Sequence, residues 1–552
     1  MDLQRLFLFL IFSMSVVLLW DGWQRYQHPA APAAVAAAAT TAAAPGAVPT
    51  PGVTAAPAAA TAGEVGKAEP VAAAGQKITV KTDFLRAEIS TQGGDLRRLE
   101  LSQHRDAGDM SKPFAMMQKH GDHTYYAQTG LLGQGMPNHT TLFEGAAADY
   151  QMAEGKDTLE VRLPAPEVNG VKVTKLYVFH RGSYLMDVGY EIENGSAAAI
   201  APSAYFQFLR DSSAPDGSSR FLPTYTGAAV YTDAEKFKKV EFEQITKGKA
   251  EYPKTANDGW IGMLQHYFVA AWLPKQQTPR EYYAKQGAGG LFQAGVIQSL
   301  GSIAPGQKTR FTEQLYVGPA ESSLDNVAPG LGLTVDYGWL TVIATPLFWV
   351  MTKLHGIVLN WGIAIILLTV LIKLAFFPLS AASYRSMAKM RVVAPKLEQI
   401  KKQYGDDRER LQKAMMELYS TEKINPLGGC LPVLIQIPVF IALYWSILAS
   451  VELRHAPFFG WITDLSAPDP YYVLPVIMGL SMIIQTKLNP QPPDPMQAKI
   501  MQAMPVIFSV MFFFFPAGLV LYSIVNNVLS IAQQWVITRK MEAKPKGAAN
   551  DA

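Results

Sequence analysis

One lysine lies inside an apolar segment that is long enough to cross a lipid bilayer. Lys373 is surrounded by Leu-Leu-Thr-Val-Leu-Ile before it and Leu-Ala-Phe-Phe-Pro after it, in residues 367–378. A charge at the centre of a membrane helix costs about 2.5 to 3.5 kcal/mol on insertion scales, so a compensating environment is expected. The ammonium either faces a water-filled cavity, where it would attract carboxylates, or reaches the headgroups at the membrane surface.

Polar residues recur on one side of the last apolar segment. They are spaced by four, four and three residues and comprise Tyr522, Asn526, Ser530 and Gln533. Because a polar helix face is expected to avoid lipid, we predict a hydrated substrate groove, with polar contacts between tightly packed helices as the alternative. Including residues of two earlier segments, the candidate groove residues are Lys373, Thr369, Gln436, Tyr522, Asn526 and Gln533.

The residue patterns that indicate catalysis, a cofactor or a bound metal are absent from the sequence. There is no Walker-type phosphate loop, zinc-ligand cluster or Gly-x-Ser-x-Gly elbow. We therefore predict no catalytic residues, no cofactor and no metal. A net charge of +3 is too small to indicate nucleic acid as a partner. The single cysteine, Cys430, excludes an intramolecular disulfide and is interpreted as a small apolar residue at a helix start.

Six apolar segments are predicted to cross the membrane. The first lies in residues 1–24, and the bulky Trp20 and Trp23 favour an uncleaved anchor over a cleaved signal peptide. Residues 333–355, which are aromatic and contain Pro346, are predicted to form an amphipathic helix in the membrane interface. The remaining five segments form a core at residues 356–538 and comprise 357–379, 431–450, 471–486, 500–516 and 517–537.

Two further regions lie between the anchor and the core. Residues 25–76 consist mostly of Ala, Pro, Thr, Gly and Val without any period, which is typical of a flexible linker. Residues 77–318 alternate apolar and polar side chains between turn signals such as Asn194-Gly195, which predicts an antiparallel β-sandwich. The predicted fold is therefore an α-helical polytopic membrane protein with an all-β domain outside the membrane.

The loops between the segments predict the orientation. The loop at residues 380–429 carries ten Lys and Arg residues, whereas the loop at 451–470 carries only Arg454. By the positive-inside rule the first loop is cytoplasmic and the second lies outside. Six spans then place both termini in the cytoplasm and the β domain on the opposite side.

The basic loop is predicted to have a structure of its own. Apolar residues recur every three or four positions on both sides of Gly405, which indicates an antiparallel helical hairpin at residues 380–429. Its methionines offer an adaptable surface for apolar segments. The candidate hairpin residues are Met387, Lys389, Met390, Arg391 and Met415. The basic tail at residues 539–552 is interpreted as a weak ribosome contact at most.

Motifs in the helical half resemble the YidC, Oxa and Alb insertase family. They comprise Tyr-Arg-Ser-Met-Ala-Lys-Met at 384–390, Asn-Pro-Leu-Gly-Gly-Cys-Leu-Pro at 425–432, Gln-Ile-Pro at 436–438, Asp-Pro-Tyr-Tyr-Val-Leu-Pro at 469–475, Asp-Pro-Met at 494–496 and Phe-Pro-Ala-Gly-Leu-Val-Leu-Tyr at 515–522. The order of anchor, linker and β domain resembles the Gram-negative form of the family.

This resemblance implies an insertase and chaperone of the bacterial inner membrane, which acts with the Sec translocase and independently of it. Nascent membrane proteins, Sec subunits and the lipid bilayer are the implied partners, and the β domain is expected to be a periplasmic supersandwich similar to sugar mutarotases. The family's groove cation maps to Lys373. Better-known members have arginine there, so the charge is kept but the bidentate geometry is lost.

Two other classes of function stay open. An intramembrane charge would also suit a transporter of small solutes or ions, although repeated halves and interrupted helices are not evident in the sequence. The likeness of the β domain to mutarotases would suit a carbohydrate-active enzyme on a membrane anchor.

Overall fold

The computed structural model describes residues 75–121, 123–145, 147–215, 224–405, 407–422, 431–489 and 495–542. The predicted anchor at 1–24 and nearly all of the predicted linker lie outside the described residues. So do Cys430, the last residues of the predicted hairpin and most of the basic tail.

The described residues from Lys77 to Pro319 form a β domain with one short helix, α1, at Phe242–Thr246. Its strands are β1 Lys77–Lys81, β2 Leu85–Ser90, β3 Leu96–Arg105, β4 Pro113–His120, β5 His123–Leu132, β6 Asp149–Gln151, β7 Thr158–Pro164, β8 Val171–His180, β9 Leu185–Asn194, β10 Ser203–Arg210, β11 Thr226–Thr232, β12 Lys236–Val240, β13 Thr255–Ala256, β14 Trp260–Gln265, β15 Phe268–Leu273, β16 Arg280–Gln286, β17 Phe292–Ser299 and β18 Lys308–Pro319.

The strands form two sheets whose inner faces make the core. The ten-stranded sheet has the order β13-β16-β17-β10-β5-β4-β3-β2-β1-β6, and the eight-stranded sheet has the order β12-β11-β14-β15-β18-β9-β8-β7. The named strands pair antiparallel except for β1 and β6. In β8 the alternation of exposed Lys172 with buried Val171 and Val173 follows the two-residue period of a strand. The sequence prediction of an all-β, mostly antiparallel region therefore agrees with the sheets.

A buried polar cluster lies between the sheets. Lys175 is fully buried and its ammonium donates hydrogen bonds to the carbonyls of Gly93, at 2.9 Å, and Thr129, at 3.3 Å. Asp95, also fully buried, accepts a hydrogen bond of 2.8 Å from Gln128. Burial raises the pKa of Asp95 to about 6 and lowers the pKa of Lys175 to about 8, because the loss of hydration outweighs the attraction between the two charges.

From Thr341 onward the described chain is mainly helical, with a largely non-helical connection between Ala449 and Val473. The helices are α2 Thr341–Val358, α3 Trp361–Ala375, α4 Phe377–Tyr404, α5 Arg408–Thr421, α6 Leu431–Ala449, α7 Val473–Leu488, α8 Pro495–Phe512 and α9 Ala517–Glu542. One apolar cluster joins the β domain to this bundle, since Trp260 and Tyr231 belong to the same cluster as Ala344 and Phe348 of α2. His266 also hydrogen-bonds the carbonyl of Leu448 at 2.9 Å.

The bounds of several helices differ from the predicted segments. The segment predicted at 333–355 becomes an α-helix only at Thr341, after short 3₁₀ helices and a turn in which Gly338 has φ of 64° and its N–H donates to Asp336. The segment predicted at 357–379 begins at Trp361, because Asn360 caps the helix by accepting a hydrogen bond of 3.0 Å from the N–H of Ile363.

A break also divides the segment predicted at 357–379. Helices α3 and α4 meet at Phe376 with a bend of 68°. Pro378 lies in the first turn of α4, where its missing N–H costs no helical hydrogen bond, so a new helix starts readily there. The helix that carries Lys373 therefore ends shortly after it, and the chain leaves in a new direction.

We predict that Lys175→Met destabilises the β domain by about 3 kcal/mol or more, because it removes the main countercharge of the buried Asp95 carboxylate. The double variant Lys175→Met, Asp95→Asn should recover much of that loss. Thermal unfolding of the full-length protein in nanodiscs, followed by near-ultraviolet circular dichroism, provides the measurement. Lys172→Met, on the exposed face of the same strand, is the matched control, and a Lys175→Met variant as stable as this control would contradict the prediction.

Candidate functional site: a lysine between the helices

Lys373 lies in the last turn of α3 and its ammonium points to α9. The Nζ atom donates a hydrogen bond of 2.7 Å to the hydroxyl of Ser530. Ser530 in turn donates to the carbonyl of Asn526 at 2.7 Å, and the side chain of Tyr384 of α4 lies near Ser530. Among the described residues, no carboxylate forms an ion pair with this ammonium. The site therefore holds a cation that a neutral hydroxyl, and not an acidic side chain, keeps in place.

A second polar contact joins α6 to α9. It involves Asn526, which lies one helical turn before Ser530. The side-chain nitrogen of Gln436 donates to the hydroxyl of Tyr522 at 3.3 Å and to the side-chain oxygen of Asn526. Tyr522 is almost fully buried, whereas Gln436 is partly accessible. The structure thus brings together four residues of the predicted groove, Lys373, Gln436, Tyr522 and Asn526.

A small cavity separates Lys373 from Gln436. It has a volume of about 20 Å³, which is enough for one water molecule. Its lining also includes Ile372, Phe376, Ser380 and Val439. The cavity therefore has a polar side, formed by the lysine and the glutamine, and an apolar side.

Two of the predicted groove residues are placed differently. The Thr369 hydroxyl is fully buried and donates to the carbonyl of Ile365, at 2.7 Å, in its own helix. Gln533 lies at the edge and its side chain donates to the carbonyl of Phe377 at 3.4 Å. These hydrogen bonds go to backbone carbonyls and not to Lys373. Helical spacing alone does not determine which partner a side chain meets.

The sequence reasoning missed a second polar face of α9. Asn527 donates to the hydroxyl of Ser481 on α7 at 3.1 Å. Gln534 donates to the carbonyl of Leu488 at 3.1 Å and to the side chain of Asn489 at 3.0 Å. These residues are spaced by seven and could have been found by searching the segment for more than one polar face.

The two helices of the hairpin, α4 and α5, pack through a small apolar cluster. Met390 and Met415 are partly buried against Val393 and Leu397, so their side chains belong largely to the hairpin interior. Met416, which was not among the candidates, is 58% exposed. Of the remaining candidates, Met387 is half-buried, Lys389 is exposed and Arg391 contacts the end of α7.

The outer surface of the bundle is strongly apolar. Its exposed side chains include Val476 and Leu480 of α7 and Val506, Ile507 and Val510 of α8, each more than half exposed. Exposed apolar area of this extent marks a surface that contacts lipid or protein. Among the described residues, Thr341–Val358 and Ala517–Lys540 are long and apolar enough to cross a membrane, and the bent pair α3 and α4 adds a third if it counts as one span.

An apolar helical surface that encloses a cation and a polar cavity defines an integral membrane protein. Two family models match the chain, the YidC periplasmic domain at residues 77–350 and the 60Kd inner membrane protein at residues 353–544. The membrane protein insertase YidC of Nitrosospira multiformis is 56% identical over 98% of this chain and 98% of its own length. That of Aromatoleum aromaticum is 55% identical over 99% and 100%. The chain belongs to the YidC family of membrane protein insertases.

Two solved structures are similar to the chain at low sequence identity. A crystal structure of an active YidC insertase with its first transmembrane domain resolved is 21% identical, with a TM-score of 0.39, and covers 83% of this chain and 94% of that one. A galactose mutarotase related enzyme from Lactobacillus acidophilus is 12% identical, with a TM-score of 0.30, and covers 44% of this chain and 97% of that one.

We predict that a Gln436→Cys variant reacts with a water-soluble methanethiosulfonate reagent, because its side chain lines the cavity beside Lys373. A Val506→Cys variant should react more slowly although Val506 is 59% exposed, since that surface faces lipid. Both variants are made in a Cys430→Ser background and compared by labelling rate in membranes. Equal rates would favour a dry polar contact between helices over a hydrated groove.

Proposed function

We propose that the protein inserts integral membrane proteins into the bacterial inner membrane and assists their folding, without covalent catalysis. The cavity beside Lys373 holds about one water molecule as it stands, so the helices that line it must separate for a polar or acidic segment of the client to enter. The adjoining apolar segment meanwhile moves into lipid. The observation that carries this proposal is the hydrogen bond between Lys373 and Ser530 beside a cavity, in a protein of an insertase family.

Hydrophobic transfer supplies most of the driving force in this mechanism, at about 0.8 kcal/mol for each buried CH₂ group. The ammonium lowers the barrier for the polar segment. Two opposite charges about 4 Å apart attract by about 1 kcal/mol in water and by about 4 kcal/mol at an effective dielectric constant of about 20. A groove that excludes part of the water therefore makes one lysine an effective attractor for a carboxylate.

The proposed topology has six spans, namely the N-terminal anchor and five spans in the bundle. The basic loop at 380–429 supports a cytoplasmic position for the hairpin and both termini, and a periplasmic position for the β domain. Helix α2 is long enough to cross the membrane, but we assign it to the interface because a further span would place the β domain on the same side as the basic loop.

Short helices support local thinning of the bilayer. Helix α3 has 15 residues and α7 has 16, which correspond to about 23 to 24 Å at 1.5 Å per residue. A typical hydrocarbon core is about 30 Å thick. Accommodating such helices thins the membrane nearby and shortens the path of a polar segment.

Two further partners are proposed, the ribosome and the Sec translocase. The exposed basic residues of the hairpin, together with the tail, are suited to a weak ribosome contact during synthesis. Cooperation with the Sec translocase would serve larger clients, while small clients enter independently of it. No residue of the described chain is assigned to the Sec contact.

We predict that Lys373→Arg retains most insertion activity and that Lys373→Ala reduces it. Lys373→Glu should lower Sec-independent insertion of a client with an acidic segment by about tenfold or more, because attraction becomes repulsion in a site of low dielectric constant. The assay is protease protection of an externally tagged small client in cells depleted of the parent protein, with variant amounts matched by immunoblot.

Charge reversal at an exposed lysine supplies the control. Lys353→Glu on α2 should leave insertion close to that of the parent. If Lys373→Glu inserts the client as well as Lys353→Glu does, Lys373 acts only by reaching the headgroups and the groove mechanism is wrong. Flux of a small solute that depends on Lys373, without insertion, would favour the transporter class instead.

A further inference from the structure

The last carbonyls of α7 receive side chains from two other helices. Arg391 of α4 donates from one guanidinium nitrogen to the carbonyl of Leu488 and, at 3.5 Å, to that of Lys487. Gln534 of α9 donates to the same Leu488 carbonyl at 3.1 Å. Three helices therefore meet at the residue where α7 ends.

We call the meeting of Arg391 and Gln534 at the carbonyl of Leu488 the joint. Its hydrogen bonds stabilise the end of α7. The last carbonyls of a helix have no partners within the helix and carry its partial negative charge, so a guanidinium both satisfies and neutralises them. Hydrogen bonds from an ionised donor are about twice as strong as neutral ones. Gln534 is 3% exposed, which places the joint partly out of solvent.

The hairpin is held together independently of this joint. Lys396 of α4 and Glu422, which follows α5, form an ion pair of 2.6 Å, and Val393 and Leu397 form an apolar cluster with residues of α5. Loss of Arg391 would therefore free the hairpin from the end of α7 without separating its two helices.

The joint also lies close to the groove. Gln534 and Ser530 are four residues apart on α9, which corresponds to one turn and about 6 Å of rise. Ser530 is the partner of Lys373. Any movement of α4 relative to α7 and α9 at Leu488 therefore changes the position of the hairpin at the cytoplasmic end of the groove.

We propose that Arg391 is a positioning residue that docks the cytoplasmic hairpin onto the end of α7 and so sets where the hairpin stands beside the groove. The position of the hairpin follows from the contacts alone. Its consequence for insertion rests on the proposed function.

The test measures the distance between the hairpin and the bundle in the full-length protein. Spin labels at Lys402 of α4 and Lys540 of α9, both exposed, are introduced in a Cys430→Ser background in nanodiscs and measured by double electron–electron resonance. The parent should give one main distance. Arg391→Met should shift the ratio of docked to undocked hairpin by about tenfold, as expected for loss of a charge-assisted hydrogen bond.

Two further variants keep the test specific. Arg391→Lys, which retains a charged donor, should keep the main distance and rescue insertion of the small client relative to Arg391→Met. Glu398→Gln, which removes an exposed acidic charge from the same hairpin, should resemble the parent in both readouts. A several-fold loss of insertion should accompany undocking in Arg391→Met.

An unchanged distance distribution in Arg391→Met would overturn the proposal. Undocking with normal insertion would overturn the link between hairpin position and insertion. A shifted distance in Arg391→Met, combined with normal insertion by Lys373→Glu, would count against the groove mechanism while supporting the docking contact, so the two proposals fail separately.

Discussion

A charged ammonium inside an apolar helical bundle is stable only if polar groups accompany it. Lys373 meets this requirement by donating a hydrogen bond to the hydroxyl of Ser530. That hydroxyl donates in turn to the backbone carbonyl of Asn526. The polar side of α9, the contact of Gln436 with Tyr522 and the small cavity lie beside this cation. Among the described residues a neutral hydroxyl bonds the ammonium and no carboxylate pairs with it, and the proposed mechanism uses this free charge to attract a carboxylate of the client.

The break at Phe376 connects this site to the hairpin. Because α3 ends two residues after Lys373 and α4 departs at 68°, the chain leaves the bundle close to the cation. Tyr384 and Arg391 on α4 then contact the bundle at Ser530 and at the end of α7. The lysine, the bend and the hairpin thus form one continuous structure, which favours coupling between events at the hairpin and in the groove.

Much of this organisation could be predicted from the sequence. The alternating strands, the apolar segments, Lys373 and the stripe through Tyr522 and Asn526 are visible as periodic patterns. Contacts between distant segments could not be predicted. Neither the partnership of Lys373 with Ser530, 157 positions away, nor the bonding of Thr369 to its own backbone follows from helical spacing.

The exact ends of the helices could not be predicted from the sequence either. The cap at Asn360 and the break at Phe376 depend on local geometry, and Pro378 was assigned to the end of a continuous segment although it begins a new helix. Met390 and Met415 pack in an apolar cluster between the hairpin's own helices, and a sequence cannot tell whether an apolar face is covered by its own neighbour.

Site-specific photocrosslinking tests the central claim most directly. A photoreactive amino acid replaces Ile435, which lines the cavity, or Val506, which lies on the exposed face of α8. Each protein is then irradiated while a ribosome-arrested client with an acidic segment is being inserted. The groove mechanism predicts that the acidic segment crosslinks to position 435 and that its crosslinking weakens when its carboxylates are replaced by amides. Crosslinking of the acidic segment at position 506 alone, or no dependence on its charge, would contradict the mechanism.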